Sequence, residues 1–201
     1  MPIITKIKPQ RNRKRVNIYL DGKFAFGLDL DNFVKLNLKV EQELSEKEVA
    51  GIVKKAEFQK TLDKLLRFTT LRPRSEKEIN YWLKRKKVHE SLQKDLFNKL
   101  KRLDLIDDKK FAEWWIGQRI QFKSKSKREL ISELRIKGID KNTIEDVLYE
   151  VGIDEAKNAK KLIQKNKYKW KRYDKRTARK KMGEYLARKG FAWEIIKKVV
   201  K

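Results

Sequence analysis

The residues with the clearest chemical potential are the cations and aromatic rings that alternate between Lys165 and Arg176. Lysine and arginine neutralise phosphates, and exposed aromatic rings stack on bases; single-strand-binding proteins combine the two. Three rings, Tyr168, Trp170 and Tyr173, stand among these cations. The pattern leaves open whether these rings meet bases or pack onto the protein. For the lysines and arginines it favours contact with a polyanion.

The positive charge of the chain is large and unevenly distributed. Its 201 residues carry a formal net charge of +26. Residues 154–201 hold 18 Lys/Arg against five Asp/Glu, which is half of that charge in under a quarter of the chain. Such self-repulsion favours an anionic partner, which could be nucleic acid, an acidic lipid surface or an acidic protein. A solvated lysine-rich surface is the alternative, and the density of cations favours a partner over it.

Groups for catalysis or metal binding are scarce. The chain has no cysteine and one histidine, His89, which excludes disulfides and thiolate zinc sites and fits a cytoplasmic protein. It lacks the glycine-rich phosphate loops and the G-x-S-x-G nucleophile motif. Asp107 and Asp108 are interpreted as helix caps, because no further ligand stands near them at metal-binding spacing. We therefore expect no enzyme activity, no cofactor and no metal.

The sequence shows no membrane or secretion signal. No run is apolar enough to span a bilayer, and lysines follow Ile3-Ile4 at once, so no signal-peptide core forms. We expect a cytoplasmic protein with no membrane partner.

The first forty residues have a strand pattern. Strands are predicted for Ile3–Lys8, Arg15–Leu20 and Lys23–Phe26, and Asp21-Gly22 between the last two predicts a type I′ hairpin. A short helix over about 30–36 should cover the sheet. Because three strands and one helix are marginal alone, this segment should dock on something larger.

From Ser45 onward the sequence predicts helices. The S-x-x-E spacing of a capping box occurs at Ser45–Glu48, Ser75–Glu78 and Ser126–Glu129. The first box opens a helix of about six turns, and a loop over 69–74 precedes the second. Further helices follow to residue 201, the last ones short and basic.

The helical blocks repeat. Ser75 and Ser126 lie 51 residues apart, and so do Glu78 and Glu129. A third copy fits with one added residue, through the pairs Leu134 with Leu186, Gly138 with Gly190, and Ile139 with Phe191. The first copy has Lys87-Val88 in place of the glycine pair, and the third has Thr177 and Lys180 in place of the capping box.

Self-similarity at this period predicts the architecture. We expect a mainly α fold of tandem three-helix repeats in an elongated, curved array, with a small N-terminal β-hairpin segment. Stacked neighbours should complete each other's cores, because three short helices bury little alone. The predicted domains are 1–44, the β segment with its short helix; 45–106, the long helix and first repeat; 107–153, the second repeat; and 154–201, the third and most basic repeat.

Three-helix units also occur as DNA readers. Here the second and third helices of the repeats carry mostly Lys, Glu and apolar residues. The mixture of Asn, Gln and Arg expected for reading base edges is missing. The sequence therefore favours contact with the nucleic-acid backbone over sequence reading.

Three motifs occur in order along the chain: L-I-D-D-K-K-F-A from Leu105 to Ala112, S-x-x-E-L-x-x-x-L-x-x-K-G-I from Ser126 to Ile139, and Y-L-A-R-K-G-F from Tyr185 to Phe191. Together they resemble the RecX family, bacterial regulators of the RecA recombinase. The resemblance covers about 62–200, and the N-terminal segment is similar to an extension of some members. Lys87 and the high lysine content depart from the family pattern.

The resemblance implies a function as well as a fold. RecX-like proteins are expected to bind RecA filaments on single-stranded DNA and to restrain ATP hydrolysis, filament extension and strand exchange, within DNA repair, homologous recombination and the SOS response. We expect RecA and single-stranded DNA as partners, with double-stranded DNA a further option, and a monomer. The alternative is an architectural protein that binds DNA or RNA without sequence preference.

The candidate residues form two sets. Those expected to meet the filament or nucleic acid are Lys123, Lys125, Lys127, Arg128, Arg135, Lys137, Lys165, Lys167, Tyr168, Lys169, Trp170, Lys171, Arg172, Lys175, Arg176, Arg179, Lys180, Arg188 and Lys189. Those expected to carry the motifs and the fold are Ser75, Ile106, Asp107, Asp108, Phe111, Ala112, Ser126, Glu129, Leu134, Gly138, Leu186, Gly190 and Phe191.

Overall fold

The computed structural model describes residues 1–11 and 13–200, so the predicted end of the last helix at Lys201 lies outside the described residues. The chain forms two compact units, one of residues 1–71 and 88–100, the other of residues 72–87 and 101–201. This division cuts through the predicted first repeat, and the four predicted domains stay a prediction. Within the described part of the chain, no helix has the length and apolar character needed to cross a membrane.

The first unit contains an antiparallel sheet in the order β1-β2-β3. Its strands are β1 (Ile4–Pro9), β2 (Arg15–Leu20) and β3 (Lys23–Asp29). Asp21 and Gly22 both have positive φ, 47° and 79°, as a type I′ turn requires. The predicted hairpin is confirmed.

Three helices accompany the sheet: α1 (Leu30–Lys35), α2 (Glu46–Thr70) and α4 (Glu90–Arg102), the last belonging to this unit through Leu100. Ile52 and Ala56 of α2 lie in the same buried cluster as the sheet residues Ile18 and Leu28. The expectation that the sheet docks on a larger element is thus confirmed for α2.

Helix α2 begins and ends differently from its neighbours. Ser45 and Glu48 form a complete capping box at its start. The loop predicted from Thr69 is wrong by two residues, because the helix continues through Thr70. The Thr69 and Thr70 hydroxyls donate to carbonyls one turn back, those of Leu65 and Leu66, so both hydroxyls have an acceptor within the helix.

Among the described residues of the second unit, every regular element is a helix. It contains α3 (Glu76–Arg85), α5 (Asp108–Lys123), α6 (Lys127–Ile136), α7 (Lys141–Val151), α8 (Glu155–Lys165), a 3-10 turn (Lys167–Lys169), α9 (Lys175–Arg188) and α10 (Trp193–Val199). Helices α5–α7 are the second repeat and α8–α10 the third. This mainly α architecture with an N-terminal sheet confirms the predicted fold class.

Each of these two repeats has its own apolar core. The second is built around Phe111, Leu130 and Leu134, and the third around Leu186 and Phe191. The expectation that neighbouring repeats complete each other's cores is therefore wrong here. The contacts described next, which join the repeats, are polar.

Two serines connect the copies. The Ser75 hydroxyl accepts the Glu78 N–H at the start of α3 and donates to the carbonyl of Lys137 at 2.8 Å. Ser126 does the same at the start of α6, accepting the Glu129 N–H and donating to the carbonyl of Lys189 at 2.7 Å. Both serines are fully buried. We call each of these contacts a repeat junction.

A left-handed residue follows each accepting carbonyl. Gly138 and Gly190 have φ of 88° and 76°. A Cβ on Gly138 would lie 2.7 Å from the Cβ of Lys77, and one on Gly190 would lie 3.1 Å from the Ser126 hydroxyl. Lys87 takes the same conformation with φ of 51° at the matching position of the first copy. All three copies thus share the left-handed residue that ends the helix. Glycine at this position in the second and third copies also lets the neighbouring repeat come close.

The capping boxes predicted at Ser75 and Ser126 are only half formed. The Glu78 carboxylate is held by Arg72 at 2.9 Å and Lys137 at 2.7 Å, and the Glu129 carboxylate faces Lys189 at 3.9 Å. A charged donor makes a stronger hydrogen bond than a neutral backbone N–H. Glu78 therefore reaches across its junction to Lys137 instead of back to its own cap, whereas Glu129 faces Lys125 and Lys189 at nearly equal distances.

Replacing Glu78 with glutamine should reveal this junction as a pH-dependent loss of stability. Burial would raise the pKa of Glu78, but hydrogen bonds from Arg72 and Lys137 hold that pKa below its usual value of 4.5. The stabilisation is therefore complete above pH 4.5 and lost as the pH falls through the lower folded-state pKa. Urea unfolding at pH 7 should show Glu78→Gln to cost about 1–3 kcal/mol, and the difference from the parent should shrink in acid.

The matched control is Glu145→Gln. Glu145 pairs with Lys141 across an exposed turn of α7, with both side chains more than 60% exposed, so its loss should change stability by less than about 0.5 kcal/mol. A pH-independent cost at Glu78, or an equal cost at both sites, would contradict the assignment.

Candidate nucleic-acid interface

Most of the cations predicted to bind are on the surface. The exposed ones are Lys123, Lys127, Arg128, Arg135, Lys165, Lys167, Lys169, Lys171, Arg172, Lys175, Arg176, Arg179, Lys180 and Arg188. The last ten belong to the third repeat or to the turn between α8 and α9. The predicted set is thus densest where the charge count of the sequence is highest.

The second and third repeats differ in how many of their lysines and arginines pair with carboxylates. Residues 107–153 hold ten Lys/Arg and nine Asp/Glu, and several of these cations pair with carboxylates, Lys109, Arg119 and Lys141 among them. In the described residues 154–200, Lys189 alone makes such an ion pair. The third repeat therefore presents cations whose charge no carboxylate of the described chain neutralises.

Three predicted contact residues have a structural role instead. Lys125 lies 2.6 Å from Glu133, Lys137 2.7 Å from Glu78, and Lys189 3.9 Å from Glu129. All three are only partly exposed. Their placement as free phosphate contacts is not supported, because each neutralises a glutamate of the fold.

Glu133 shows how such a site is built. Its carboxylate accepts the indole N–H of Trp115 at 2.8 Å and pairs with Arg119 at 2.8 Å. The Arg119 guanidinium also lies 4.0 Å from the ring centre of Trp115. Burial would raise the pKa of Glu133, but hydrogen bonds from Lys125, Arg119 and Trp115 lower it. This cluster lies over the core of the second repeat, against which Trp115 packs partly buried.

The aromatic rings divide between the two roles left open by the sequence. Trp170 is 8% exposed and packs against Tyr185 with ring centres 5.6 Å apart. A base-stacking role for Trp170 does not fit this burial. Tyr168 is 67% exposed, and Tyr173 is half-buried with Arg172 5.0 Å from its ring centre. Tyr168 is the ring most open to a partner.

Helix α9 begins earlier than its counterparts. Asp174 caps it by accepting the backbone N–H groups of Arg176 and Thr177. The helix has 14 residues where α3 and α6 have ten. The added turn carries Lys175 and Arg176, whose side chains are exposed. The alignment of the repeats placed Thr177 at the cap and missed Asp174, although Asp is itself a strong capping residue.

The acidic pair of the family-like motif caps two helices. Asp107 accepts the Lys110 N–H of its own helix, and Asp108 accepts the Glu76 N–H of α3 at 2.8 Å. Burial raises the pKa of Asp108. The described residues contain no cluster of three or more side chains suited to a metal ion, and the interpretation of this pair as caps agrees with its contacts.

A second acidic pair, Asp154-Glu155, also accepts backbone N–H groups from two helices. The sequence patterns above did not predict this role. Asp154 caps α8 through the Lys157 N–H, and Glu155 accepts the Lys127 N–H of α6 at 2.9 Å. It follows Asp107-Asp108 by 47 residues, a spacing that the 51-residue alignment hides. The α6–α9 junction thus repeats the α3–α6 junction in its serine, its glutamate and its acidic cap.

Comparison with known proteins bears on these repeats. The family description "Regulatory protein RecX N-terminal domain" matches residues 2–45, "RecX, second three-helix domain" matches 107–148, and "RecX, third three-helix domain" matches 153–200. The regulatory protein RecX of Bacillus licheniformis is 34% identical over 198 residues, covering 98% of this chain and 75% of the relative. The chain belongs to the RecX family.

Other RecX proteins agree in length and fold. The regulatory protein RecX of Finegoldia magna is 33% identical and is covered to 98%, as is this chain. A crystal structure described as regulatory protein RecX superimposes with a TM-score of 0.74 at 29% identity, over 99% of this chain and 98% of that one. The suspected family is therefore confirmed, and with it a regulatory protein built from RecX three-helix domains.

Proposed function

We propose that this chain binds the filament that the RecA recombinase forms on single-stranded DNA, and that it restrains ATP hydrolysis, filament extension and strand exchange. Membership of the RecX family of regulatory proteins supports a regulatory role, and the motif resemblance implies RecA as its target. The observation that carries the DNA side is the third repeat, where exposed cations are not neutralised by carboxylates of the described residues.

The two complete repeats suit different partners in this proposal. Phosphate contact requires cations that are free to displace the counterions of the nucleic acid, and the third repeat offers them along the 3-10 turn and α9. The second repeat has nearly balanced charges, which suits a protein surface better than a polyanion. In this proposal the chain acts as a monomer in the cytoplasm, without catalysis and without a cofactor.

A second candidate is an architectural protein that binds DNA or RNA backbone without RecA. The net charge of +26 favours it, because electrostatic attraction alone produces non-specific nucleic-acid binding. The two candidates differ in whether RecA adds to the affinity.

Comparing the affinity for bare and RecA-coated single strands of equal length separates them. We expect at least about tenfold tighter binding to the filament, and we expect the advantage to grow near 200 mM salt, since salt weakens phosphate contacts most. Fluorescence anisotropy with labelled protein measures both. Equal affinities, lost together as salt rises, would replace the filament proposal with the architectural one.

A further inference from the structure

A cleft of about 710 Å³ opens in the third repeat between the turn after α8 and helix α9. This volume is within the range of ligand-binding clefts. Its wall consists of aromatic rings and cations, with one carboxylate from Glu184. The rings are those of Tyr168, Trp170, Tyr173 and Tyr185, and the cations are those of Lys169, Arg172, Lys181 and Arg188.

The cations of the cleft lie over ring faces. Lys169 has its ammonium 5.7 Å from the ring centre of Tyr168 and 5.4 Å from that of Tyr185. Lys181 lies 4.9 Å from the ring centre of Tyr173. No ion pair with a carboxylate involves either lysine in the described part of the repeat. The cleft thus combines stacking surfaces with positive charge that remains available to an anion.

Trp170 adds a donor without a partner. Its indole N–H is buried and has no acceptor among the described residues. A buried unsatisfied donor costs free energy. This observation is independent of the charge pattern, and it concerns a residue of the same wall.

We propose that this cleft takes one unstacked base of a DNA single strand, with Tyr168 as its stacking surface and Arg172 and Arg188 against the flanking phosphates. This inference rests on the proposed function, because it specifies how the third repeat recognises single-stranded DNA. Bases of a duplex are paired and stacked, so the cleft distinguishes a single strand from a double strand. Base stacking on aromatic rings tolerates any base, which agrees with binding that is independent of sequence.

The test compares a thymidine strand with a strand of abasic sites, each about 15 nucleotides long so that it fills one binding site. The full chain should bind the thymidine strand roughly tenfold more tightly, because each stacked base contributes measurably. Tyr168→Ala should bring this ratio close to one and leave the affinity for the abasic strand unchanged. Fluorescence anisotropy of the labelled strands measures all four affinities.

Tyr149→Ala is the matched control. Tyr149 is 90% exposed on α7 and does not line the cleft, so its loss should leave the ratio at the parental value. Equal affinities of the parent for the two strands, or the same loss in both variants, would overturn the assignment. Displacement of the strand by micromolar free thymidine monophosphate would also overturn it, since the cleft would then be a mononucleotide site.

These outcomes are distinct from those of the filament experiment. The strands contain no RecA, so a base-independent result refutes the cleft assignment and leaves the RecA proposal in place. Conversely, a protein with no preference for filaments would still show whether its bare-strand binding depends on the base.

Discussion

Binding to single-stranded DNA is expected to weaken about 100-fold at low salt when four exposed cations of the third repeat are replaced by glutamate: Lys169, Lys171, Arg172 and Arg176. Each cation that meets a phosphate releases counterions, so the dependence of log K on log salt should also become shallower by about three units. Circular dichroism should show an unchanged helix content, because these side chains lie on the surface.

The control for this variant carries the same change in net charge elsewhere. It replaces four lysines of α2: Lys54, Lys55, Lys60 and Lys64. Helix α2 belongs to the first unit, whereas the third repeat belongs to the second. Replacement of these lysines by glutamate should leave most of the affinity and the salt slope intact. If both variants lose affinity equally, the total charge of the chain governs binding and the third repeat has no special role.

Gly138→Ala is expected to cost about 3–4 kcal/mol of unfolding free energy. A left-handed conformation costs an alanine about 1–2 kcal/mol, and overpacking adds about 1–3 kcal/mol. Here the new Cβ would lie 2.7 Å from the Cβ of Lys77, which is close to the backbone of α3 and cannot swing away. Relief requires separating α3 from the end of α6, where Ser75 donates to the carbonyl of Lys137. Urea unfolding measures the loss.

Two further glycines calibrate this result. Gly152 has φ of 58° and nothing within 4 Å of the point where a Cβ would lie, whereas at Gly190 the nearest atom is 3.1 Å away. Substitution by alanine is therefore expected to cost most at Gly138, less at Gly190 and least at Gly152. At Gly152 the loss of unfolding free energy should be about 1–2 kcal/mol. Equal costs at all three would mean that the junctions do not depend on close approach.

Much of the fold is predictable because its signals are local. Ser45 and Glu48 are three residues apart, and Asp21-Gly22 is a dipeptide, so each pattern determines its own hydrogen bonds or backbone angles. The apolar period of Leu130 and Leu134 likewise places them in one core. The structure confirms these predictions.

The polar junctions are not predictable in this way. Ser126 has the spacing of an ordinary capping residue, yet its hydroxyl also donates to a carbonyl 63 residues away. Glu78 has the spacing to close a capping box, yet Lys137 holds it from 59 residues away. Local spacing identifies the group and its own helix, and it carries no information about a partner that folding brings from another repeat.

The same limit applies to the candidate interface. The sequence identifies the third repeat as the most basic segment, and the exposure of Lys171 and Arg176 agrees with it. The sequence does not distinguish these two cations from Lys137, whose charge is paired with Glu78 within the fold. Nor does an alternation of rings and cations indicate that Trp170 is buried while Tyr168 is exposed. Which side of each residue faces the protein follows from the tertiary packing.

We propose that this chain acts on RecA and does not merely compete for DNA. The most direct measurement is RecA's DNA-dependent ATPase rate while the chain is titrated far below the amount that would cover the DNA. We predict that the rate falls at these low ratios, that the α2 control variant inhibits as the parent does, and that the variant reversed at the four third-repeat cations inhibits much less. An ATPase rate that stays constant until the chain saturates the DNA would contradict an action on RecA.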